Sequence, residues 1–293
     1  MLASLKSKIK RIKRLNFKVR IGLIMFLSLL VIATIFSYID TQIRLKGVDP
    51  TTPWIAERFL PPSPQHPLGT SQNGADVLGS MLVALRNTLI IGIISGTITT
   101  VIATFLGFLS AYKGGVYDYI IRNVTDFMLV VPSWPILAVM AAYIRKIDVI
   151  GISLILSIFN WSWAARTIRS QVLSLKEKPY VDLARVSGLG DMEIVFKELM
   201  VNLLPYIVVS YANSITNAIL AETGLRLIGV GPAELPTLGF LLQMYLVAGF
   251  LTTRVYVAAL IVALIAMTFL SLNFINMGLE EIYNPRLKKI TGM

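Results

Sequence analysis

Residues 255–279 read VYVAALIVALIAMTFLSLNFINMGL, a run of 25 residues without Asp, Glu, Lys or Arg. A bilayer core about 30 Å thick is crossed by about 20 helical residues, so this segment is long enough to span a membrane. Five further charge-free segments of comparable length precede it, at 21–39, 87–112, 127–144, 149–165 and 199–221. The pattern predicts an all-α membrane protein with six transmembrane helices.

The composition of the 293-residue chain agrees with this interpretation, since 55% of its residues are hydrophobic, 15% are charged and the mean hydropathy is +0.72. Soluble domains average about 45–50% apolar and about 25% charged residues. A soluble globule and a disordered chain are therefore both excluded. A seventh charge-free segment, 235–253, contains Pro236, Gly239 and Gly249. We interpret it as a re-entrant or interfacial segment on the outer side.

The charged residues indicate how the chain is oriented. Lys and Arg total 27 against 16 Asp and Glu, which gives a net charge of +11. With six spans, 19 basic residues fall on the side of the two termini and seven on the opposite side. Cytoplasmic segments carry the excess of Lys and Arg. Both termini of a multi-pass plasma-membrane protein are therefore predicted to be cytoplasmic, and the basic charge requires no nucleic-acid partner.

The segments outside the membrane follow from this orientation. The predicted order is a cytoplasmic basic tail (1–20), a first transmembrane helix (21–39), an extracytoplasmic loop (40–86), a five-helix transmembrane core (87–279) with a cytoplasmic loop inside it (166–198), and a cytoplasmic tail (280–293). The apolar residues among the charges of the first tail fit an amphipathic interfacial helix or a simple charge cluster. The cytoplasmic loop is predicted to form two short helices with a bend at Gly188 and Gly190.

The residues that most enzymes require are missing. There is no Cys and the only His is His66, which excludes Fe–S clusters, thiolate zinc sites and HExxH metal sites. No G-x-x-x-x-G-K-[ST] motif is present, so the chain has no P-loop for ATP. We therefore predict a protein that is not an enzyme and binds no cofactor or metal itself.

Four motifs carry a resemblance to a known family. They are His66-Pro67-Leu68-Gly69-Thr70 with Asn73-Gly74 and Asp76-Val77-Leu78; Gln171-Val172-Leu173 with Tyr180-Val181-Asp182-Leu183-Ala184-Arg185, Gly188 and Asn202; Ile219-Leu220-Ala221-Glu222 with Gly229-Val230-Gly231; and Asn284-Pro285-Arg286-Leu287. In this order they resemble the peptide-type ABC importer permeases, the C-type membrane subunits of dipeptide, oligopeptide and nickel importers. The resemblance covers about three quarters of the chain and implies a type I ABC importer fold.

The resemblance also implies partners. A second permease subunit, two ATP-binding cassette subunits and an extracytoplasmic solute-binding protein would complete an importer embedded in membrane lipid. ATP and Mg would be used by the partner ATPases, and the solute would be a peptide or an oligosaccharide. The loop would be the ATPase-coupling element, in which Gly188 permits a bend and apolar side chains anchor a helix-in-groove contact. The candidate coupling residues are Asp182, Ala184, Gly188, Ile194 and Phe196, with Val195 and Leu199 as further apolar anchors.

The chain departs from the family pattern at several positions. Asp182-Leu183-Ala184 stands where the family has E-A-A, and Val201 replaces a frequent Pro. In the outside motif, Ser71 and Ala75 replace an acid and an Arg. Arg226 occupies a position where the family has a small polar residue. The last three changes point to a difference in substrate or partner.

Three pairs of residues leave alternatives open. Glu222 and Arg226, four residues apart, could line a polar path for the solute or pair with each other. Gly92 and Gly96 form a G-x-x-x-G motif that suits helix packing, either within the subunit or against a partner. Asp126 is either functional or paired with Arg122 one turn earlier, and Pro132 and Pro135 should kink the same helix.

Two other classes of function fit the sequence less well. A self-sufficient secondary transporter is the alternative reading, but such proteins often contain repeated halves and this sequence shows no internal repeat. An intramembrane enzyme would lack catalytic groups, because the chain has no Cys and no paired membrane carboxylates.

Overall fold

The structure is a computed structural model, and it describes residues 16–143, 148–190, 193–232, 234–249 and 254–283. Within these ranges the chain is helical and forms no β-strand beyond one isolated bridge between Thr70 and Asp76. The predicted amphipathic tail lies almost wholly outside the described residues. The C-terminal motif at 284–287 lies outside them altogether.

The described part of the chain forms nine helices. They are α1 (Phe17–Ile43), α2 (Val77–Lys113), α3 (Gly115–Val130), α4 (Ser133–Tyr143), α5 (Val149–Lys176), α6 (Pro179–Val186), α7 (Met200–Leu227), α8 (Leu238–Val247) and α9 (Val255–Tyr283). A π-helical stretch, Ile32–Phe36, lies within α1, and a second one, Ile194–Leu199, leads into α7. The helices extend several residues past the charge-free segments, so the segment between α1 and α2 is shorter than the loop predicted at 40–86.

Five of these helices are long and apolar enough to cross a membrane: α1, α2, α5, α7 with the residues just before it, and α9. A sixth crossing requires α3 and α4 together, and these two helices meet at an angle of 77°. The break falls at Pro132, which lacks an N–H and cannot continue the hydrogen bonding of α3. Val131 before it is extended, as the residue preceding a proline prefers. The third predicted span, 127–144, is therefore not a straight helix.

Helix α2 is the centre of the bundle and packs against both α5 and α7. Its small residues make this possible: a Cβ built on Gly107 would lie 2.7 Å from the carbonyl oxygen of Ala165 on α5. A Cβ on Gly96 would lie 2.6 Å from Ile215 of α7, and one on Gly92 would lie 2.6 Å from Ile219. Lipid is as apolar as these side chains, so close packing rather than water exclusion holds the helices together.

The short helix α8 carries the seventh charge-free segment. It has only ten residues, and its N-cap Thr237 accepts a hydrogen bond from the N–H of Phe240. Its first residue, Leu238, is fully buried and its N–H donates to Thr88 of α2 at 3.0 Å. At about 1.5 Å per residue, ten residues cannot cross a bilayer, which agrees with a re-entrant or interfacial element.

Candidate functional site

The segment between α5 and α7, which is predicted to be cytoplasmic, presents two exposed apolar side chains. Helix α5 continues to Lys176, and α6 follows after a short turn. On α6, Leu183 is 67% exposed and Val186 is 87% exposed. Asp182 and Arg185 form an exposed ion pair beside them at 3.4 Å. Leu183 and Val186 are three residues apart, so they lie on one face of the helix and form an apolar tip.

The apolar residues predicted from the sequence for this contact surface are not the exposed ones. Ile194 and Leu199 are fully buried and Val195 is 8% exposed, because they pack with Ile168 and Leu203 in the core of the subunit. The prediction that Ile194, Val195 and Leu199 anchor a partner is therefore wrong. Ala184 is also buried, at 7%. The side chain of Phe196 lies outside the described residues.

Gly188 ends the turn after α6 with a φ of +81°, a conformation that favours glycine. Its N–H donates to the carbonyl oxygen of Arg185 at 3.0 Å. A Cβ on Gly188 would meet nothing within 4 Å. A larger residue there would strain the backbone without causing a clash.

A groove of about 850 Å³ lies along α5 and α7. The side chains that line it are mostly amides, hydroxyls and aromatics: Asn160, Trp163, Ala164, Thr167, Gln171, Pro205, Tyr206, Val209, Ser210, Asn213, Ser214, Asn217 and Glu280. Glu280 is the only ionisable carboxylate among them. Sequence reasoning did not find this groove, although its polar residues recur at helical spacing on α5 and α7.

The structure places Glu222 and Arg226 in contact inside the protein. Arg226 Nε donates to Glu222 Oε1 at 3.0 Å, and both side chains are 3% exposed. The same guanidinium donates to the carbonyl oxygens of Pro232 at 2.6 Å and Leu235 at 3.1 Å. The hydroxyl of Thr237 donates to Glu222 Oε1 at 2.7 Å. The pair therefore holds the segment between α7 and α8, and neither residue lines the large groove.

Arg44 connects two carboxylates in the segment between α1 and α2. Its guanidinium donates to Asp40 at 2.6 Å and to Asp76 at 2.6 and 2.7 Å. His66 Nδ1 lies 2.7 Å from Asp76 Oδ2, and Asp76 also caps α2 by accepting from the Gly79 N–H at 2.7 Å. Burial of Asp76 raises its pKa, but the hydrogen bonds from Arg44, Gly79 and His66 outweigh burial and hold the pKa below its usual range.

Asp126 pairs with a different arginine from the one predicted. Its carboxylate bonds to Arg166 on α5 rather than to Arg122 on its own helix. The bend before α4 and the packing of α3 on α5 decide this, and neither is visible in the spacing of the sequence. Gly92 and Gly96 face Ile219 and Ile215 of the same chain.

No metal centre is formed in the part of the chain that the structure describes. No group of three or more His, Cys, Asp or Glu side chains there is arranged to hold an ion. The carboxylates of Asp76, Asp126 and Glu222 are held by arginines, which leaves them poorly suited as metal ligands.

Comparison with known proteins shows that this chain is similar to components of transport systems. Residues 100–289 match the family described as "Binding-protein-dependent transport system inner membrane component". The Oligopeptide transport system permease protein OppC of Lactococcus lactis subsp. cremoris is 28% identical over 98% of this chain and 95% of its own length. The Dipeptide transport system permease protein DppC of Haemophilus influenzae is 28% identical over 92% and 90%. The OppC protein of Mycobacterium tuberculosis is 32% identical over 58% and 59%.

Proposed function

The chain belongs to the binding-protein-dependent transport system inner membrane components, as an ABC importer permease of the dipeptide/oligopeptide type, and from this premise we propose that its solute is a peptide. It is a multi-pass membrane protein and a transport subunit rather than an enzyme. The similar proteins are named for oligopeptides and dipeptides, and this favours peptides over oligosaccharides.

The groove along α5 and α7 supports a peptide as the solute. Each peptide unit carries one N–H donor and one C=O acceptor. Asn and Gln side chains carry both groups, so the amides of Asn160, Asn217 and Gln171 can bond to peptide backbone regardless of its side chains. The groove is open on one side in this subunit, and a second permease subunit would close it into a path.

The chain has no P-loop for ATP, so partner subunits have to supply the energy for transport along such a path. We propose that the importer contains two ATP-binding cassette subunits, which use ATP and Mg. One of them docks on the apolar tip formed by Leu183 and Val186. An extracytoplasmic binding protein would deliver the peptide. This arrangement requires residues 1–20, α6 and residues 280–293 to be cytoplasmic, in agreement with the distribution of basic residues.

The experiment that tests the proposal is uptake by the assembled importer in proteoliposomes. A labelled tripeptide should enter with ATP, and a labelled trisaccharide should not. Asn217→Leu should lower peptide uptake about tenfold, because loss of a buried hydrogen bond to solute costs ~1.5 kcal/mol. Asn217 lines the groove, is exposed and has no hydrogen bond within the described residues.

Asn273→Leu is the matched control, because Asn273 is an exposed amide on α9 that does not line the groove. It should transport like the parent. Uptake of the trisaccharide in place of the tripeptide would show that the assignment of a peptide is wrong. Equal peptide uptake by the Asn217→Leu and Asn273→Leu variants would show that the groove is not part of the transport path.

A further inference from the structure

A second cavity lies away from the groove, where α2, α3 and α5 meet. Its volume is about 110 Å³, several times the ~30 Å³ that one water molecule occupies in the liquid. Gly107 and Ala165 line it with small residues, and Ile121 and Thr125 line it from α3. Four charged side chains complete the wall, namely Arg122, Asp126, Arg166 and Arg169.

Two of the three arginines are already paired. Arg169 donates two hydrogen bonds to Asp118, at 2.6 and 2.7 Å, and a third to Ser110 at 3.1 Å. Arg166 bonds to Asp126, whose negative charge it neutralises. Arg122 has no carboxylate within salt-bridge distance among the described residues. The pocket therefore carries one positive charge in excess, on an exposed guanidinium that is free to bind an anion.

The surroundings of the pocket are apolar and face outward. On α3, Val116, Tyr119 and Phe127 are 71%, 64% and 67% exposed. Such side chains on a membrane subunit suit the acyl chains of lipid rather than water. Helices α2 and α5 end at Lys113 and Lys176, within two turns of the lining residues Gly107 and Arg169, so the pocket lies near the ends of these two spans. The excess of basic residues on that side predicts that these ends are cytoplasmic.

We propose that this pocket binds the phosphate group of an anionic membrane phospholipid. Guanidinium groups match phosphate oxygens in geometry and charge, and basic pockets between transmembrane helices suit anionic lipid headgroups. Arg122 supplies the free charge, the exposed part of Arg166 supplies a second donor, and the apolar face of α3 carries the acyl chains. The bound lipid would hold α3 against α2 and α5, next to the 77° bend.

The test measures lipid binding to the full chain in a neutral detergent by native mass spectrometry. The probes are phosphatidylglycerol, phosphatidylcholine and inorganic phosphate. Arg122→Gln should weaken binding of phosphatidylglycerol about fivefold, as expected from ~1 kcal/mol per arginine near an anionic lipid surface. Binding of phosphatidylcholine should not change. Arg122→Lys keeps the charge and should retain most of the phosphatidylglycerol binding.

Arg20→Gln is the control, since Arg20 is an arginine near the end of another helix and does not line the pocket. It should bind phosphatidylglycerol like the parent. Equal binding of phosphatidylglycerol by the parent and Arg122→Gln would overturn the proposal, and so would a parallel loss of both lipids. Displacement of phosphatidylglycerol by inorganic phosphate would assign the pocket to the free anion and not to a lipid.

Discussion

Single residues decide how the segment between α1 and α2 is held, and Asp76 is the most constrained of them. It is fully buried, and it accepts hydrogen bonds from Arg44, His66 and the backbone of α2. One side chain thus joins the end of α1, the loop and the start of α2. The pKa of Asp76 is held below its usual range by these donors, which makes the segment sensitive to acid.

We expect the stability that the Asp76 charge contributes to be present above about pH 4, the usual pKa of an aspartate, and to be lost as the pH falls through its lower folded pKa. Asp76→Asn removes the charge and keeps an equally good N-cap. The thermal unfolding midpoint of the variant should lie below that of the parent at neutral pH. The difference should shrink at strongly acidic pH. A difference that stays constant on acidification would contradict the assigned role.

Glu222 and Arg226 form a buried pair that we expect to be structural. Removing one partner of such a pair leaves a charge without compensation, so Glu222→Gln should destabilise the protein by about 3 kcal/mol. The double change Glu222→Gln with Arg226→Gln should recover about 1 kcal/mol of this. Recovery is incomplete because Arg226 also holds the carbonyl oxygens of Pro232 and Leu235. Denaturation of the purified chain measures both effects.

Thr223→Val is the control for this pair, because the hydroxyl of Thr223 is buried without a partner and its loss should cost nothing. If the single and double variants are all as stable as the parent but fail to transport, the pair contacts solute instead. Full stability and full transport in every variant would dismiss both roles.

At the scale of elements, α6 is the part of the chain to which we assign the contact with the ATPase subunits. It is short and lies outside the bundle, and its buried face is fixed to the core by Val181 and Ala184. Its other face presents Leu183 and Val186 to whatever docks there. Gly188 then lets the chain turn back towards α7.

Val186→Asp should weaken co-purification of the ATPase subunits about tenfold or more, because central apolar contacts in interfaces cost above ~2 kcal/mol when lost. Solute-stimulated ATP hydrolysis in proteoliposomes should fall with it. Lys178→Gln is the control, since Lys178 is exposed at the start of α6. Lys176 is unsuitable for this purpose because its ammonium group donates to the carbonyl oxygens of Ala111 and Tyr112. Unchanged ATPase binding and hydrolysis by Val186→Asp would refute the contact.

At the scale of the whole molecule, five helices and one bent pair of helices are long and apolar enough to cross a membrane. The chain contains no Cys, so single cysteines can be introduced without a background. We expect Ser63→Cys to react with an impermeant maleimide in intact cells. Ser187→Cys should react only after the cells are opened, because α6 is expected to be cytoplasmic. A reporter after Met293 should also read cytoplasmic. An external C-terminus would mean an odd number of crossings, so that the bent pair of α3 and α4 does not span the membrane.

Much of the fold and part of the site could be predicted from the sequence. Charge-free segments and basic residues are local properties, so they indicated the spans and the helical class of the protein. The glycine bend at Gly188 and the spacing of Glu222 and Arg226 are local too, and the structure shows both. The bend of α3 against α4 could be anticipated from Pro132, although not its angle of 77°.

What only the tertiary structure decided is which face of each helix is covered. Leu183 and Ile194 look alike in the sequence, yet one is exposed and the other is buried against α5 and α7. Asp126 pairs with Arg166, forty residues away in the sequence, instead of with Arg122, one helical turn away. The groove and the basic pocket exist only where separate helices meet. In lipid, apolar character does not distinguish a packed face from an exposed one, so only the contacts between helices can.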